Sequence, residues 1–101
     1  LSSEFVPIED AKSCTPVHWF TSFLYYDKHK MVDFLKENNI QSREFFYPLH
    51  AQPCYNDEIR KVGDYTRSMS IFDSGISLPS SYNLTEENQI KVINKLEEFL
   101  L

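Results

Sequence analysis

The chain has 101 residues, a length that suits one domain with a modest hydrophobic core. Its net charge of −5 argues against a surface for nucleic acid or for anionic membranes. No apolar run approaches the roughly 18 residues that a membrane-spanning helix needs. Cys14 and Cys54 lie 40 positions apart, without the closely spaced Cys or His pairs of a zinc site. We therefore expect no metal site and two free thiols in a reducing cytoplasm.

The first predicted elements are a connector, a strand and a helix. Residues 1–16 show little periodicity and contain two prolines, so they are expected to form a connector. Residues 17–26 are rich in aromatic and β-branched side chains and predict a strand whose two faces are both largely apolar. Asp27 is a good N-cap for the helix that follows. Asn38 and Asn39 predict its end, since Asn tolerates the left-handed conformation that ends helices.

The second half of the chain predicts two strands and two helices. Pro48 lacks a backbone donor and holds the preceding residue extended, so a strand over 40–47 should stop there. Turn residues in 51–64 indicate a loop. The next predicted elements are a short helix over 65–72, capped by Asp64 and ended by Gly75, and a strand over 76–78. A final helix is capped by Thr85, and its apolar stripe consists of Ile90, Ile93, Leu96 and Leu100, widened by Val92 and Phe99.

This order predicts an α/β fold, more closely an α+β sandwich with a small three- to four-stranded sheet and helices on one face. We expect the opposite face of the sheet to be apolar and to contact protein outside this chain. Because the chain begins at Leu1, we expect it to be a piece of a longer polypeptide.

Four polar-tipped side chains near the end of the second strand form a candidate ligand site: Arg43, Tyr47, His50 and Tyr55. Imidazole donates, accepts or shuttles a proton near neutral pH, and a guanidinium binds carboxylate or phosphate in bidentate fashion. The structural alternatives stay open: His50 as a loop anchor, the two tyrosines as a seal for the loop, and Arg43 in a surface ion pair with Glu44 or Asp27. Two glycines cannot form a phosphate loop, and no catalytic motif is recognisable.

Two runs carry a family resemblance: Arg-Glu-Phe-Phe-Tyr-Pro-Leu-His at 43–50, and Gly-Ile-Ser-Leu-Pro-Ser at 75–80. With the tryptophan-bearing strand and the helix after Asp27, they resemble the C-terminal domain of the DegT/StrS-type nucleotide-sugar aminotransferases, and among these the perosamine-synthetase-type members.

The resemblance implies an aspartate-aminotransferase fold in a pyridoxal-phosphate-dependent parent enzyme. Its large domain carries the Schiff-base lysine, and its small C-terminal domain closes over the substrate. By this resemblance, residues 1–16 connect to a missing large domain and residues 17–101 form the small domain. Arg43, Tyr47, His50 and Tyr55 then face the substrate.

The implied parent is a cytoplasmic homodimer. It transfers an amino group, usually from glutamate, to a nucleotide-linked keto sugar for perosamine-type lipopolysaccharide O-antigen. The 101 residues alone are expected to bind no cofactor and to catalyse nothing, because the lysine, the pyridinium partner and the phosphate cradle are not among them.

Two alternatives belong to other functional classes. One is a freestanding α/β ligand-binding or regulatory module of the amino-acid-sensing kind, which would cover its sheet by dimerising. The other is a dehydratase or regulatory member of the same family. Such a member differs from an aminotransferase chiefly at the large-domain lysine.

Overall fold

The computed structural model describes residues 5–17, 19–55 and 63–101. Its strands are β1 (Phe5–Pro7), β2 (Thr21–Tyr25), β3 (Arg43–Glu44) and β4 (Gly75–Leu78), arranged as one antiparallel sheet in the order β1-β2-β4-β3. Its helices are α1 (Lys28–Glu37), α2 (Thr66–Ser74) and α3 (Glu86–Leu100), with a 3₁₀ turn at Leu49–Ala51. The predicted fold class, a small α+β domain, is confirmed.

Strand β1 lies in the segment for which the sequence predicted a connector. Phe5 pairs with Tyr25 and Pro7 with Phe23 at the edge of the sheet, where a proline costs no ladder hydrogen bond. The Phe5 ring is buried and stacks on Phe23 with centroids 4.4 Å apart. A strand of three residues is too short to show a period of two, so pairing with β2 defines it.

Two predicted strands are much shorter than expected. Residues 17–26 contribute only Thr21–Tyr25, and residues 40–47 contribute only Arg43–Glu44. Both strands pair with β4, which has four residues and is followed by Pro79. β4 pairs with β2 over four residues but with β3 over only two, and each strand ends where its backbone pairing ends.

The local signals for helix ends are confirmed. Asp27 accepts a hydrogen bond from the Lys30 amide at 3.4 Å, and Thr85 accepts one from the Asn88 amide at 3.2 Å. Asn39 adopts φ 61°, the left-handed conformation expected after α1. Helix α2 begins one residue later and ends two residues later than predicted, and Asp64 accepts from the Thr66 amide.

Helices α1 and α3 cover one face of the sheet. The buried hydrophobic side chains of this core are Phe5, Tyr25, Met31, Leu35, Ile76, Leu78 and Leu96. In α3 only part of the predicted stripe is buried: Leu96 lies in the core, and Val92, Phe99 and Leu100 pack against it. Ile90 and Ile93 are about half exposed. The apolar arc of α3 is wider than its contact, so the packing angle decides which part is buried.

The opposite face of the sheet is polar at its centre, contrary to expectation. The hydroxyls of Ser22 and Ser77 lie 3.2 Å apart and hydrogen-bond across β2 and β4. Apolar residues occupy the two ends of this face. Val6 and Leu24 line a groove beside α2, and a cluster of aromatic rings lies at the other end.

Candidate functional site

The turn after Pro48 positions His50 at the surface. Pro48 is extended (φ −55°, ψ 137°), and the Ala51 amide donates to its carbonyl at 3.0 Å. The Gln52 side-chain amide donates to the Tyr47 carbonyl at 3.1 Å, which ties the turn to the residue before the proline. The proline therefore ends the extended run as predicted and redirects the chain into a 3₁₀ turn.

His50 and Tyr55 line one cleft of about 450 Å³, together with Tyr65 and Ser68. The His50 ring stacks on Tyr65, with centroids 4.5 Å apart and planes 21° apart. Rings with polar tips in a concave surface both cover apolar ligand atoms and hydrogen-bond hydroxyls. We name this the His50 cleft.

Tyr65 was not predicted as a site residue. Its backbone is left-handed (φ 53°, ψ 28°), which costs a bulky L-residue about 1–2 kcal/mol. This strained conformation lies just before α2 and places the tyrosine ring against His50. The sequence carries no signal for the stacking, because the partners come from separate elements and the conformation is unusual for tyrosine.

Tyr47 lies outside the lining of the His50 cleft. It is 50% exposed, and its ring meets Phe72 of α2 edge-on, with centroids 5.2 Å apart and planes 83° apart. Neither Tyr47 nor His50 is sequestered in the interior, so both are available to a ligand or to a further part of the protein.

Arg43 occupies a separate groove, on the sheet face that α1 and α3 leave uncovered. Phe20, Phe46 and Ser77 line this groove with it. Among the described residues no carboxylate lies within ion-pair distance of its guanidinium: Glu44 approaches Lys28 and His29, and Asp27 approaches Lys30. The surface ion pair considered for Arg43 is therefore not formed there, and its fork of donors faces a groove.

Three aromatic rings, Trp19, Phe20 and Phe46, form a cluster beside Arg43, which we name the aromatic patch. The Trp19 ring stacks on the Phe20 ring with centroids 4.5 Å apart, and the centroid of the Phe46 ring lies 6.2 Å from that of Phe20. Trp19 is 72% exposed and Phe46 is 75% exposed. Neighbouring exposed rings are typical of surfaces that contact other protein.

Lys28, the first residue of α1, is 2% exposed. Its ammonium donates to the Phe72 carbonyl, lies 3.5 Å from a Glu44 carboxylate oxygen, and sits 4.3 Å above the centre of the Phe72 ring. The residues next to Lys28 in the sequence give no signal for this burial, because its three contacts come from other elements.

Lys28 is the buried lysine among the described residues, and its ammonium is held by a carbonyl, a carboxylate and a ring rather than directed into a cleft. Within the same residues, no group of three His, Cys, Asp or Glu side chains could hold a metal ion. Cys14 and Cys54 are exposed free thiols. None of the described helices combines the length and hydropathy required to cross a membrane.

Comparison with known proteins identifies the family. Residues 3–97 match the model of the DegT/DnrJ/EryC1/StrS aminotransferase family, and the chain belongs to this family. A GDP-perosamine synthase of Vibrio cholerae is 31% identical over 87 residues, which are 81% of this chain and 23% of the synthase. A GDP-perosamine synthase of Escherichia coli O157:H7 is 26% identical over 94 residues, covering 90% of this chain and 25% of that enzyme.

A third relative is EpsN of Bacillus subtilis strain 168, provisionally named a pyridoxal phosphate-dependent aminotransferase. It is 37% identical over 70 residues, which are 67% of this chain and 18% of EpsN. The chain thus spans about a fifth to a quarter of the length of the relatives it matches.

Proposed function

We propose that this chain is the C-terminal small domain of a pyridoxal-phosphate-dependent aminotransferase acting on a nucleotide-linked keto sugar. In this proposal residues 1–16 lead from the large domain, and residues 17–101 form one wall of the substrate site. The observation that carries it is the His50 cleft, an aromatic concavity with polar tips, in a chain that belongs to an aminotransferase family.

The exposed area of the chain supports a larger parent protein. The accessible surface is 8033 Å², whereas a monomeric protein of 11.9 kDa exposes roughly 6,000 Å². The excess of roughly 2,000 Å² is larger than the roughly 800 Å² that one partner contributes to an interface of standard size. The aromatic patch and the exposed Val6 and Ile8 are apolar parts of that surface. Relatives several times longer than this chain offer the missing protein that would cover it.

We assign the four predicted site residues to complementary parts of a nucleotide sugar. His50 and Tyr55 would contact the sugar ring, whose faces stack on aromatic rings and whose hydroxyls need donors and acceptors. Tyr47 would border the same ligand from its position on Phe72. Arg43 would attract the diphosphate, because a guanidinium pairs with phosphate oxygens in a fixed geometry.

The remaining chemistry belongs to parts of the parent outside the described residues. Pyridoxal phosphate, its lysine and the glutamate donor would be held there, and a homodimer would complete the site. We place this enzyme in the cytoplasm, in the synthesis of perosamine-type sugars for lipopolysaccharide O-antigen. The names of two relatives support the perosamine assignment, and that of EpsN supports the cofactor.

The test uses the full-length polypeptide. Purified protein should show pyridoxal absorbance, and calorimetry should detect binding of GDP-perosamine. Tyr55→Phe should weaken that binding about twofold to twelvefold, because a hydrogen bond contributes about 0.5–1.5 kcal/mol. Tyr26→Phe is the matched control, since Tyr26 is exposed and lines a different groove.

Equal dissociation constants for the two variants would contradict the placement of the sugar in the His50 cleft. Binding of free amino acids by the 101 residues, without any affinity for nucleotide sugars, would instead favour a regulatory module. Protein that lacks pyridoxal absorbance but binds and dehydrates a nucleotide sugar would point to a dehydratase.

A further inference from the structure

We infer that Lys28 is a positioning residue for Tyr47: its buried ammonium fixes Phe72, and the Phe72 ring fixes the tyrosine. The inference rests on the proposed function only where it assigns a ligand to Tyr47. Its structural content, a link from α1 through α2 to the residue before Pro48, stands on the contacts themselves.

The first step is the burial of the charge. Removing an ammonium from water costs several kcal/mol in a folded protein, so a buried lysine persists only where other groups replace the water. At Lys28 the replacements are the Phe72 carbonyl, the Glu44 carboxylate at 3.5 Å and the face of the Phe72 ring at 4.3 Å. All three lie outside α1, so the ammonium joins α1 to β3 and to α2.

The second step is the end of α2. Phe72 lies in the last turn of this helix, where carbonyl groups lack the amide partner that a continuing helix would supply. Helix α2 carries no basic residue of its own in that turn, and Gly75 is extended rather than left-handed. Lys28 therefore satisfies a terminal carbonyl of α2 and places a positive charge at the negative end of the helix dipole.

The third step leads to Tyr47. The Phe72 ring is bounded by the Lys28 ammonium and by the edge-on ring of Tyr47 at 5.2 Å. Glu44, which Lys28 also holds, is three residues before Tyr47 in the chain. The lysine thus restrains both the aromatic support of Tyr47 and the strand that leads to it.

The experiment places 3-fluorotyrosine at position 47 of the full-length polypeptide and records its ¹⁹F resonance. Lys28→Met should shift the resonance toward that of the denatured protein and narrow it, because the supporting ring is released. Lys30→Met is the matched control: the residue lies in the same helical turn but is exposed, and its ammonium is 3.9 Å from Asp27. It should leave the resonance unchanged.

Phe72→Leu keeps the backbone carbonyl that Lys28 contacts and removes only the aromatic ring. It therefore provides a second test of the inference if Lys28→Met does not fold. It should move the ¹⁹F resonance in the same direction as Lys28→Met. An unchanged resonance in Phe72→Leu, or in folded Lys28→Met, would overturn the inference.

Binding of GDP-perosamine separates this inference from the proposed function. Lys28→Met should weaken binding about fivefold, the effect of losing about 1 kcal/mol of side-chain preorganisation. If Tyr47→Phe and Tyr47→Ala bind as tightly as the parent, the ligand assignment of Tyr47 fails. The ¹⁹F comparison still decides whether Lys28 positions Tyr47.

Discussion

Gly75 is the position where adding one methyl group should disturb the fold most directly. It is the first residue of β4 and follows α2 without a loop. Its backbone is ordinary extended chain (φ −77°, ψ 132°), which alanine adopts without strain. The constraint is space: an added Cβ would lie 2.5 Å from two carbons of the Phe45 ring and 2.7 Å from the Ile71 carbonyl oxygen.

These distances give the magnitude for Gly75→Ala. Carbon atoms pack at about 3.5–4.0 Å, so the Phe45 ring must move by about 1 Å. The Ile71 oxygen belongs to the backbone of α2 and yields less easily than a side chain. Overpacking of this kind lowers the free energy of unfolding by about 1–3 kcal/mol. Replacing glycine by alanine also reduces the entropy of the unfolded chain, which raises the free energy of unfolding by about 0.4–1 kcal/mol. Because all three contacts are shorter than 3.0 Å and one is with backbone, the cost should lie near the upper end of its range, and we expect a net loss of about 2 kcal/mol.

Hydrogen exchange in the protein measures this loss of stability locally. Amides of β2 and β4 should exchange about thirtyfold faster in Gly75→Ala, the factor that corresponds to about 2 kcal/mol of opening free energy. Gly63→Ala is the control, because a Cβ there meets the Tyr65 ring at an ordinary 3.6 Å. It should change protection little.

Measuring the effect of Gly75→Ala in a protein that already carries Phe45→Ala identifies the cause of the lost stability. Without the Phe45 ring, the additional cost of Gly75→Ala should fall below about 1 kcal/mol, since only the contact with the Ile71 carbonyl remains. The same cost with and without that ring, or unchanged exchange in Gly75→Ala, would refute the explanation by close approach.

Three further predictions test local and surface features. Asn39→Ala should destabilise the end of α1 by about 1 kcal/mol, because φ at this residue is 61°, a left-handed value that alanine adopts only with strain. Asn39→Gly should not destabilise it. The amides of the last turn of α1 should therefore exchange faster in the alanine variant alone. Thr85→Ala should cost about 1 kcal/mol by removing the acceptor for the Asn88 amide, and unchanged exchange in the first turn of α3 would contradict this. The isolated 101-residue chain should self-associate in sedimentation experiments, and the double variant Trp19→Ser, Phe46→Ser should do so less; identical sedimentation would show that the aromatic patch is not the contact.

The helix boundaries were predictable because capping depends on neighbours in the sequence. Asp27 and Thr85 bind amides three residues further on, and Asn39 needs only its own backbone freedom. The strand boundaries were not predictable in the same way. β1 exists because Tyr25 and its neighbours offer a partner. β2 begins at Thr21, opposite the last residue of β4, and ends at Tyr25, opposite the first residue of β1.

The candidate site was predicted in part for the same reason. Arg43, Tyr47, His50 and Tyr55 share one short stretch, and their residue types alone suggested ligand recognition. The structure distributes them between the His50 cleft, the Phe72 ring and a groove on the open sheet face. Whether they act on a ligand stays a prediction, which the variants above test.

The amino-acid sequence by itself determined the features that depend on adjacent residues: the caps, the proline that ends the extended run, and the motif from Arg43 to His50 that places the chain in its family. Only the tertiary structure decided which apolar side chains are buried, that Tyr65 stacks on His50, and that Lys28 lies inside the molecule. The physical reason is that burial and stacking depend on partners brought together through space. A lysine is stable in the interior only when a carbonyl, a carboxylate and a ring from other elements surround it.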